Sequence, residues 1–309
     1  MPSKILISVV GPTAIGKTSL AIALAKQFET EIISADSRQF YKEMRIGTAV
    51  PSREELAAVR HHFIQHKSIF ENYSVGDFER EAIKLIEARF QEKEFLVMAG
   101  GSGLYIDAIT KGLDVFPEVD PAIRTNLNEK YRKEGISVLQ QQLEKMDPVY
   151  YAKVDRENPH RLIRALEVCI GSGKAYSSFL NTAKPPRPFI TISVGLNAER
   201  EVVYERINRR VDQMMAQGLL EEVRALLPHK GLNALQTVGY QELFNYLEGT
   251  ISLEEAVSEI KKNTRRFAKR QLTWFRKNKE TIWVTPETPI EEVVKRIKQR
   301  STEVSHENN

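Results

Sequence analysis

Through its first hundred residues the chain alternates short apolar runs with stretches of helical period. "ILISVV", residues 5–10, reads as a buried strand, and "GKTSLAIALAKQF" then sets Leu20, Ile22, Ala23, Leu24 and Phe28 at helical spacing. "EIISA" is a second strand. "SVGDFEREAIKLIEARFQEK" is a strongly amphipathic helix with Ser74 or Asp77 as its cap. "FLVMAGGSG" is a further apolar strand running into glycines, and "LYIDAITKG" begins the helix after it. Strands alternating with helices predict an α/β protein with a parallel sheet covered on both faces.

From Phe116 the texture changes. Asp-Pro and Asn-Pro breaks divide the next stretch into several helices without a strand candidate, and "NTAKPPRPF" follows as a stiff, proline-rich linker. "FITISVGLN" restores a buried strand. Beyond Arg200 the pattern is mostly helical, with one late strand, "TIWVT", at a sheet edge. The expected organisation is an α/β core formed by residues 1–115 and 188–309, interrupted by an all-helical insertion at 116–187.

Composition narrows the setting more than the chemistry. Of 309 residues, 41% are hydrophobic and 28% charged, ordinary for a soluble protein with a core, and a net charge of +4 says little about partners. The single cysteine, Cys169, falls on the apolar face of a predicted helix, which favours a buried, inert thiol and a reducing, cytoplasmic setting. "ILISVV" is too short for a secretory signal core, and no apolar run reaches the ~18 residues of a membrane span. The polar tail "RSTEVSHENN" is expected to fray. No sustained apolar surface helix asks for a partner, so a monomer is expected.

The first chemical signal is Gly11-Pro12-Thr13-Ala14-Ile15-Gly16-Lys17-Thr18, a P-loop pattern placed between a strand and a helix. Glycines let backbone N–H groups curl round an anion, the helix N-terminus faces it, Lys17 adds a full charge and Thr18 a hydroxyl for Mg²⁺. The core is thereby expected to be P-loop NTPase-like. The loop does not identify the phosphate. An ATPase needs an acid at the end of a later strand, yet "FLVMA" ends in Gly100-Gly101-Ser102-Gly103. Asp36 instead closes the strand directly after the P-loop helix. It can act beside the phosphates, as a Mg²⁺ ligand or a proton acceptor, or simply cap a helix. Ser102 can contact a phosphate or a base, or belong to a packing turn.

The second signal is basic. Residues 259–279 carry Lys261, Lys262, Arg265, Arg266, Lys269, Arg270, Arg276, Lys277 and Lys279 against Glu259 alone, with Phe267, Trp274 and Phe275 interleaved. One-signed charge on a helix is the footprint of a nucleic-acid backbone. Arg206 and Arg210 share a helix face; one of them can reach back to the phosphates, or pair with Glu201 or Glu205.

"GPTAIGKT", "ISADSRQFY", "GGSGLY", "RLIRALEV", "RRVDQMMAQGLLEEV", "TVGYQEL" and "KRQLTWFR" occur in this order along nearly the whole chain. Together they resemble the bacterial tRNA dimethylallyltransferase family, also called tRNA isopentenyltransferase. The resemblance implies transfer of a dimethylallyl group from dimethylallyl diphosphate to N6 of adenosine at tRNA position 37. The cradle would then hold an isoprenoid diphosphate, consistent with the missing acid on the later strand. By the family pattern Asp36 is the general base, Thr13 polarises the bridging oxygen, and Lys17, Mg²⁺ on Thr18, the loop amides and Arg210 stabilise the departing diphosphate. The anticodon stem-loop would be gripped by Asp36, Ser37, Arg38 and Gln39, by Ser102, and by Arg124, His160, Arg161 and Arg164 of the insertion. Residues 236–241, with Gly239 and Tyr240, and residues 269–276, with Lys269, Arg270, Gln271, Trp274 and Arg276, would complete the grip. Two departures stand out: "HHFIQ" has Gln65 where the family often has an acid, and His160-Arg161 stands where many members have Gln-Arg. A phosphotransferase using ATP leaves the basic helix unexplained; a non-catalytic RNA-binding NTPase leaves Asp36 unexplained. An isopentenyltransferase acting on free adenylates would not need an RNA-sized basic surface.

Overall fold

The central strand sets the architecture. A computed structural model of the chain describes residues 4–182, 184 and 186–307, and in it strand β1 (Ile5–Val10) is buried along its whole length. Its alternate residues belong to two cores: Ile5, Ile7 and Val9 pack on one face, Leu6 and Val10 on the other. A strand buried on both faces is what a parallel sheet between helical layers requires. Six parallel strands follow the order β3-β2-β4-β1-β5-β6. Here β2 is Ile32–Ser34, β3 His61–His62, β4 Phe95–Ala99, β5 Ile190–Leu196 and β6 Ile282–Val284.

Helix α1 (Lys17–Gln27) follows β1 directly, α2 is Arg53–Ala58, α3 is Val75–Arg89 and α4 is Gly103–Lys111. Ser74 caps α3 through a reciprocal box with Asp77, so the two candidate caps act together. The helical stretch contains α5 (Pro121–Glu134), α6 (Ile136–Met146), α7 (Pro148–Tyr151) and α8 (Pro159–Ser172). Then come α9 (Arg200–Ala216), α10 (Leu219–Leu226), α11 (Tyr240–Leu247), the long α12 (Leu253–Phe275) and α13 (Ile290–Glu307). Ala21, Leu24, Val203, Ile207, Val293 and Ile297 cover one sheet face; Phe78, Ala82, Ile86, Ile106 and Ile109 cover the other. This is an α/β, P-loop NTPase-like core carrying an all-helical insertion.

Two compact units result: 1–111 with 187–309, and 112–186. The helical unit has its own core of Leu127, Leu139, Leu143, Leu162, Ile163 and Leu166. Asp147 is fully buried there and accepts from the N–H groups of Tyr150 and Ser177 and from the Ser177 hydroxyl. Cys169 is buried as expected. Two local readings change. The polar tail is helical as far as Glu307, with Asn308 and Asn309 outside the described residues, as are Met1–Ser3. The proline-rich linker includes Ala183 and Pro185, also outside them. The expected edge strand "TIWVT" does close the sheet, but β2 gains a neighbour on its far side from His61–His62, a pair too short and polar to announce a strand. No helix among the described residues is long and apolar enough to cross a membrane.

Candidate active site

Strand β1 delivers the chain into the loop of residues 11–16. Gly11 has φ +147°, and a Cβ there would lie 2.6 Å from the Leu196 carbonyl oxygen, so the loop follows the end of β5 at a distance only glycine allows. Ala14 is left-handed at φ +63°, a strain of roughly 1–3 kcal/mol of the kind found at ligand clamps. No side chain caps α1, leaving its first N–H groups to an anion. Lys17 Nζ donates to Pro12 O at 2.7 Å. Burial, with a smaller push from Arg210 and an opposing pull from Asp36, brings the Lys17 ammonium down to about 8.

Asp36 stands beyond β2, where Ala35 N donates to Ala99 O at 2.8 Å. The cap reading fails here: no helix begins until Arg53, and the carboxylate instead accepts from Arg38 N at 3.1 Å, closing a turn. Lys17, Thr18, Ser34, Asp36 and Gln39 line one cleft, with Ala21, Ile32, Pro51, Ile64 and Ala99 as apolar wall.

The three arginines of α9 separate by role. Arg209 is exposed and pairs with Glu205 at 2.5 Å. Arg206 Nη1 donates to Ile15 O at 3.0 Å, bracing the cradle from outside. Arg210 is half-buried; desolvation lowers its pKa, opposed by the charges of Asp36 and Glu55. Asp36 therefore acts electrostatically on both Lys17 and Arg210.

The loop after Asp36 is laced to the segment around α10 and α11. Ser37 N donates to Ser102 Oγ at 3.0 Å, which donates in turn to Ser37 Oγ at 3.1 Å. The Arg38 guanidinium donates to the Asn233 and Ala234 carbonyls at 3.0 and 2.9 Å, and Gln39 Nε2 to those of Thr48 and Ala49 at 3.1 and 3.0 Å. Gln65, at the position without the family's acid, donates its amide to Lys42 O at 3.0 Å, a bond a carboxylate could not form. Glu222, which no short motif singles out, takes the N–H groups of Arg45, Ile46 and Gly47 and the Tyr240 hydroxyl.

That lacing corrects part of the expected RNA grip. Tyr240 is fully buried against Gly47 and Glu222. Gly239 is buried too, with its N–H on Glu242; Gln236 and Gln241 are the exposed members of that stretch. Gln271 is only 6% exposed and points inward. Its Oε1 accepts from Thr13 N and its Nε2 donates to Gly101 O, both at 2.9 Å. Trp274 packs over Gly103 and donates to Asp107 at 3.1 Å, with Lys277 over its ring.

The basic stripe divides. Lys261 pairs with Asp212 of α9 at 2.6 Å, Lys262 with Glu259, and Arg265 donates to Asn208. Arg266, Phe267, Lys269, Arg270, Arg276 and Lys277 are exposed. In the helical unit His160 and Arg161 are exposed at the start of α8, whereas Arg124 and Arg164 both clasp the buried Glu167. Burial alone would raise the Glu167 pKa, but the hydrogen bonds and charges of these arginines outweigh it and hold it low. They stabilise the unit's interior, a role the local sequence does not reveal.

The IPP transferase family model matches residues 39–278, starting just past Asp36. A tRNA dimethylallyltransferase of Christiangramia forsetii is 62% identical over 281 residues, covering 91% of this chain and 93% of that protein. One from Flavobacterium johnsoniae is 58% identical over 297 residues, covering 94% and 96%. The crystal structure of the full-length tRNA isopentenylpyrophosphate transferase from Bacillus halodurans superposes with a TM-score of 0.71 at 36% identity, over 98% of this chain and 99% of that one. A eukaryotic dimethylallyltransferase acting on tRNA gives 0.78 at 26% identity, over 92% and 74%. A phosphate cradle with no acid at the end of β4, an aspartate beside its lysine and these likenesses agree: the chain belongs to the IPP transferase family, the tRNA dimethylallyltransferases.

Proposed function

We propose that this protein transfers a dimethylallyl group from dimethylallyl diphosphate to N6 of adenosine 37 in tRNA and releases diphosphate. The observation that carries the reading is the placing of Lys17 and one carboxylate, Asp36, in one cleft at the mouth of an uncapped helix, with the half-buried Arg210 interacting electrostatically with both. Two partly desolvated cations and the amides of the loop suit a diphosphate that gains charge as it leaves. The N6 lone pair attacks the allylic C1, the C1–O bond breaks with its electrons on the diphosphate, and the N6 proton passes to Asp36. Adenine N6 is a weak nucleophile, so holding it against C1 contributes as much as removing its proton. Thr13 would polarise the bridging oxygen.

Mg²⁺ fits this site in the manner of P-loop proteins. Thr18, which carries a hydroxyl, lines the cleft, and among the described residues no cluster of three or more His, Cys, Asp or Glu forms a protein cage. Mg²⁺ is commonly held by one or two protein oxygens with phosphates and water. Bound there, it would neutralise diphosphate charge.

The exposed cations Lys269, Arg270 and Arg276, with His160 and Arg161, are the proposed phosphate contacts of the anticodon stem-loop, whose single-stranded bases splay readily. The protein is proposed to work as a monomer in the cytoplasm. The test is incubation with labelled dimethylallyl diphosphate, Mg²⁺ and either unmodified tRNA, AMP or ATP. Label is expected in tRNA; label in AMP alone, or ATP turnover without transfer, would overturn the reading.

A further inference from the structure

Helix α12 exposes Lys269 and Arg270, yet the adjacent Gln271 turns inward and is 6% exposed. Its amide joins two segments far from it in sequence: Thr13 N donates to Oε1 and Nε2 donates to Gly101 O, each at 2.9 Å. Glutamine alone can accept and donate at this reach; glutamate cannot donate, lysine and arginine cannot accept, and asparagine is one methylene shorter. The site is shaped around it, since a Cβ on Gly101 would lie 2.4 Å from Nε2.

What the amide holds gives it a role. The peptide unit whose N–H it captures is Pro12–Thr13, and the carbonyl of that same unit accepts from Lys17 Nζ at 2.7 Å. Fixing the N–H fixes the plane of the carbonyl, and with it the place of the ammonium. At the other end Gly101 is followed by Ser102, whose hydroxyl takes the N–H of Ser37, the neighbour of Asp36. Gln271 thus lies between the chain of contacts ending at Lys17 and the one ending at Asp36.

We propose that Gln271 is a positioning residue that sets Lys17 and Asp36 at a fixed separation and ties both to α12. Where α12 binds RNA, which rests on the function proposed above, the acceptor's helix and the donor's loop then move as one body. Gln271 touches neither substrate.

The experiment compares Gln271→Met, which keeps the length and removes both hydrogen bonds, and Gln271→Glu, which keeps only the acceptor, with the wild type. Calorimetry with inorganic pyrophosphate reads the donor site with no acceptor or transfer involved, so a failed transfer activity would not disturb it. Anisotropy with a labelled anticodon stem-loop reads the acceptor side, steady-state transfer reads kcat and KM, and thermal melting reads stability. Loss of a buried, doubly bonded amide predicts pyrophosphate binding weaker by about tenfold and kcat lower by about tenfold to a hundredfold in Gln271→Met, with stem-loop affinity within about twofold. Gln271→Glu, with an unpaired anion beside the cradle, should weaken pyrophosphate at least as much, and it carries the test if the methionine variant does not fold. Weakened stem-loop binding with unchanged pyrophosphate binding would make Gln271 an RNA contact and overturn the proposal. A lowered melting temperature with both affinities and kcat intact would overturn it as well, leaving packing alone.

Discussion

On the phosphate rim, Lys17 and Arg210 are half-buried and feel the charge of one carboxylate, Asp36; on the outer face of α12, Arg266, Lys269 and Arg270 are exposed. The same residue types therefore work by different physics within one unit. A partly buried cation is held by neighbours, interacts more strongly at reduced effective dielectric and changes its proton affinity. An exposed one is screened by salt within ~10 Å and adds its effect to its neighbours'. The rim should answer substitution with large, specific and pH-linked losses, the helix face with small, additive and salt-linked ones.

The largest break should come from Asp36→Ala. Removing a positioned proton acceptor is expected to slow single-turnover transfer by about 10²–10⁴-fold, while pyrophosphate affinity stays within about threefold because the carboxylate is not a donor for it. Transfer near the wild-type rate would move the proton acceptor elsewhere. Next come the two arginines one turn apart. Arg210→Ala should lower kcat about a hundredfold, in line with the loss of one preorganised donor to a leaving group. Arg206→Ala, which loses a brace on the Ile15 carbonyl, should cost about tenfold or less; equal losses would dissolve the distinction.

Lys17 sharpens the comparison through pH. With the ammonium brought down to about 8, roughly nine-tenths of the free protein carries neutral Lys17 at about pH 9, and a bound diphosphate should restore the proton. Pyrophosphate binding is then expected to take up close to one proton at about pH 9 and about a tenth of one at pH 7, read from calorimetry in buffers of different ionisation enthalpy. The sign for stability runs the same way. A lysine lowered on folding releases its proton more readily when folded, so its penalty is full below about pH 8 and fades as pH rises toward the unfolded value near 10.5. Uptake that does not change with pH would show that Lys17 is not the titrating group.

How far these residues were legible depends on whether their signal is local. The P-loop, β1, α1, α3 and β4 announce themselves because strand and helix periods and the strand–loop–helix context lie within a few residues of one another. β3 does not, since His61–His62 becomes a strand only by pairing with Ile32 and Ile33. Nor does the inward turn of Gln271: on a helix assigned from charge alone, which face meets the core depends on partners far away in sequence, here Thr13 and Gly101. Glu222 went unseen for the same reason, being defined by three N–H groups about 175 residues upstream. The basic stripe was legible as charge but not as surface, because Asp212, on α9, neutralises Lys261.

That division gives the smallest and most discriminating effect. If the exposed cations of α12 bind RNA phosphates, Lys269→Ala and Arg270→Ala should each weaken an anticodon stem-loop only a fewfold near physiological salt and flatten the plot of log affinity against log salt by about 0.7–0.9. Their kcat at saturating tRNA should stay within about twofold, since the loss is uniform binding. Lys261→Ala removes a charge of the same sign from the same helix, but one already paired with Asp212 at 2.6 Å. Its salt slope should therefore move by well under half as much, because a paired cation has fewer counterions to release. Equal slopes for Lys261 and Lys269 would mean that the whole stripe acts as a diffuse charge and that pairing on α9 does not select the surface RNA meets.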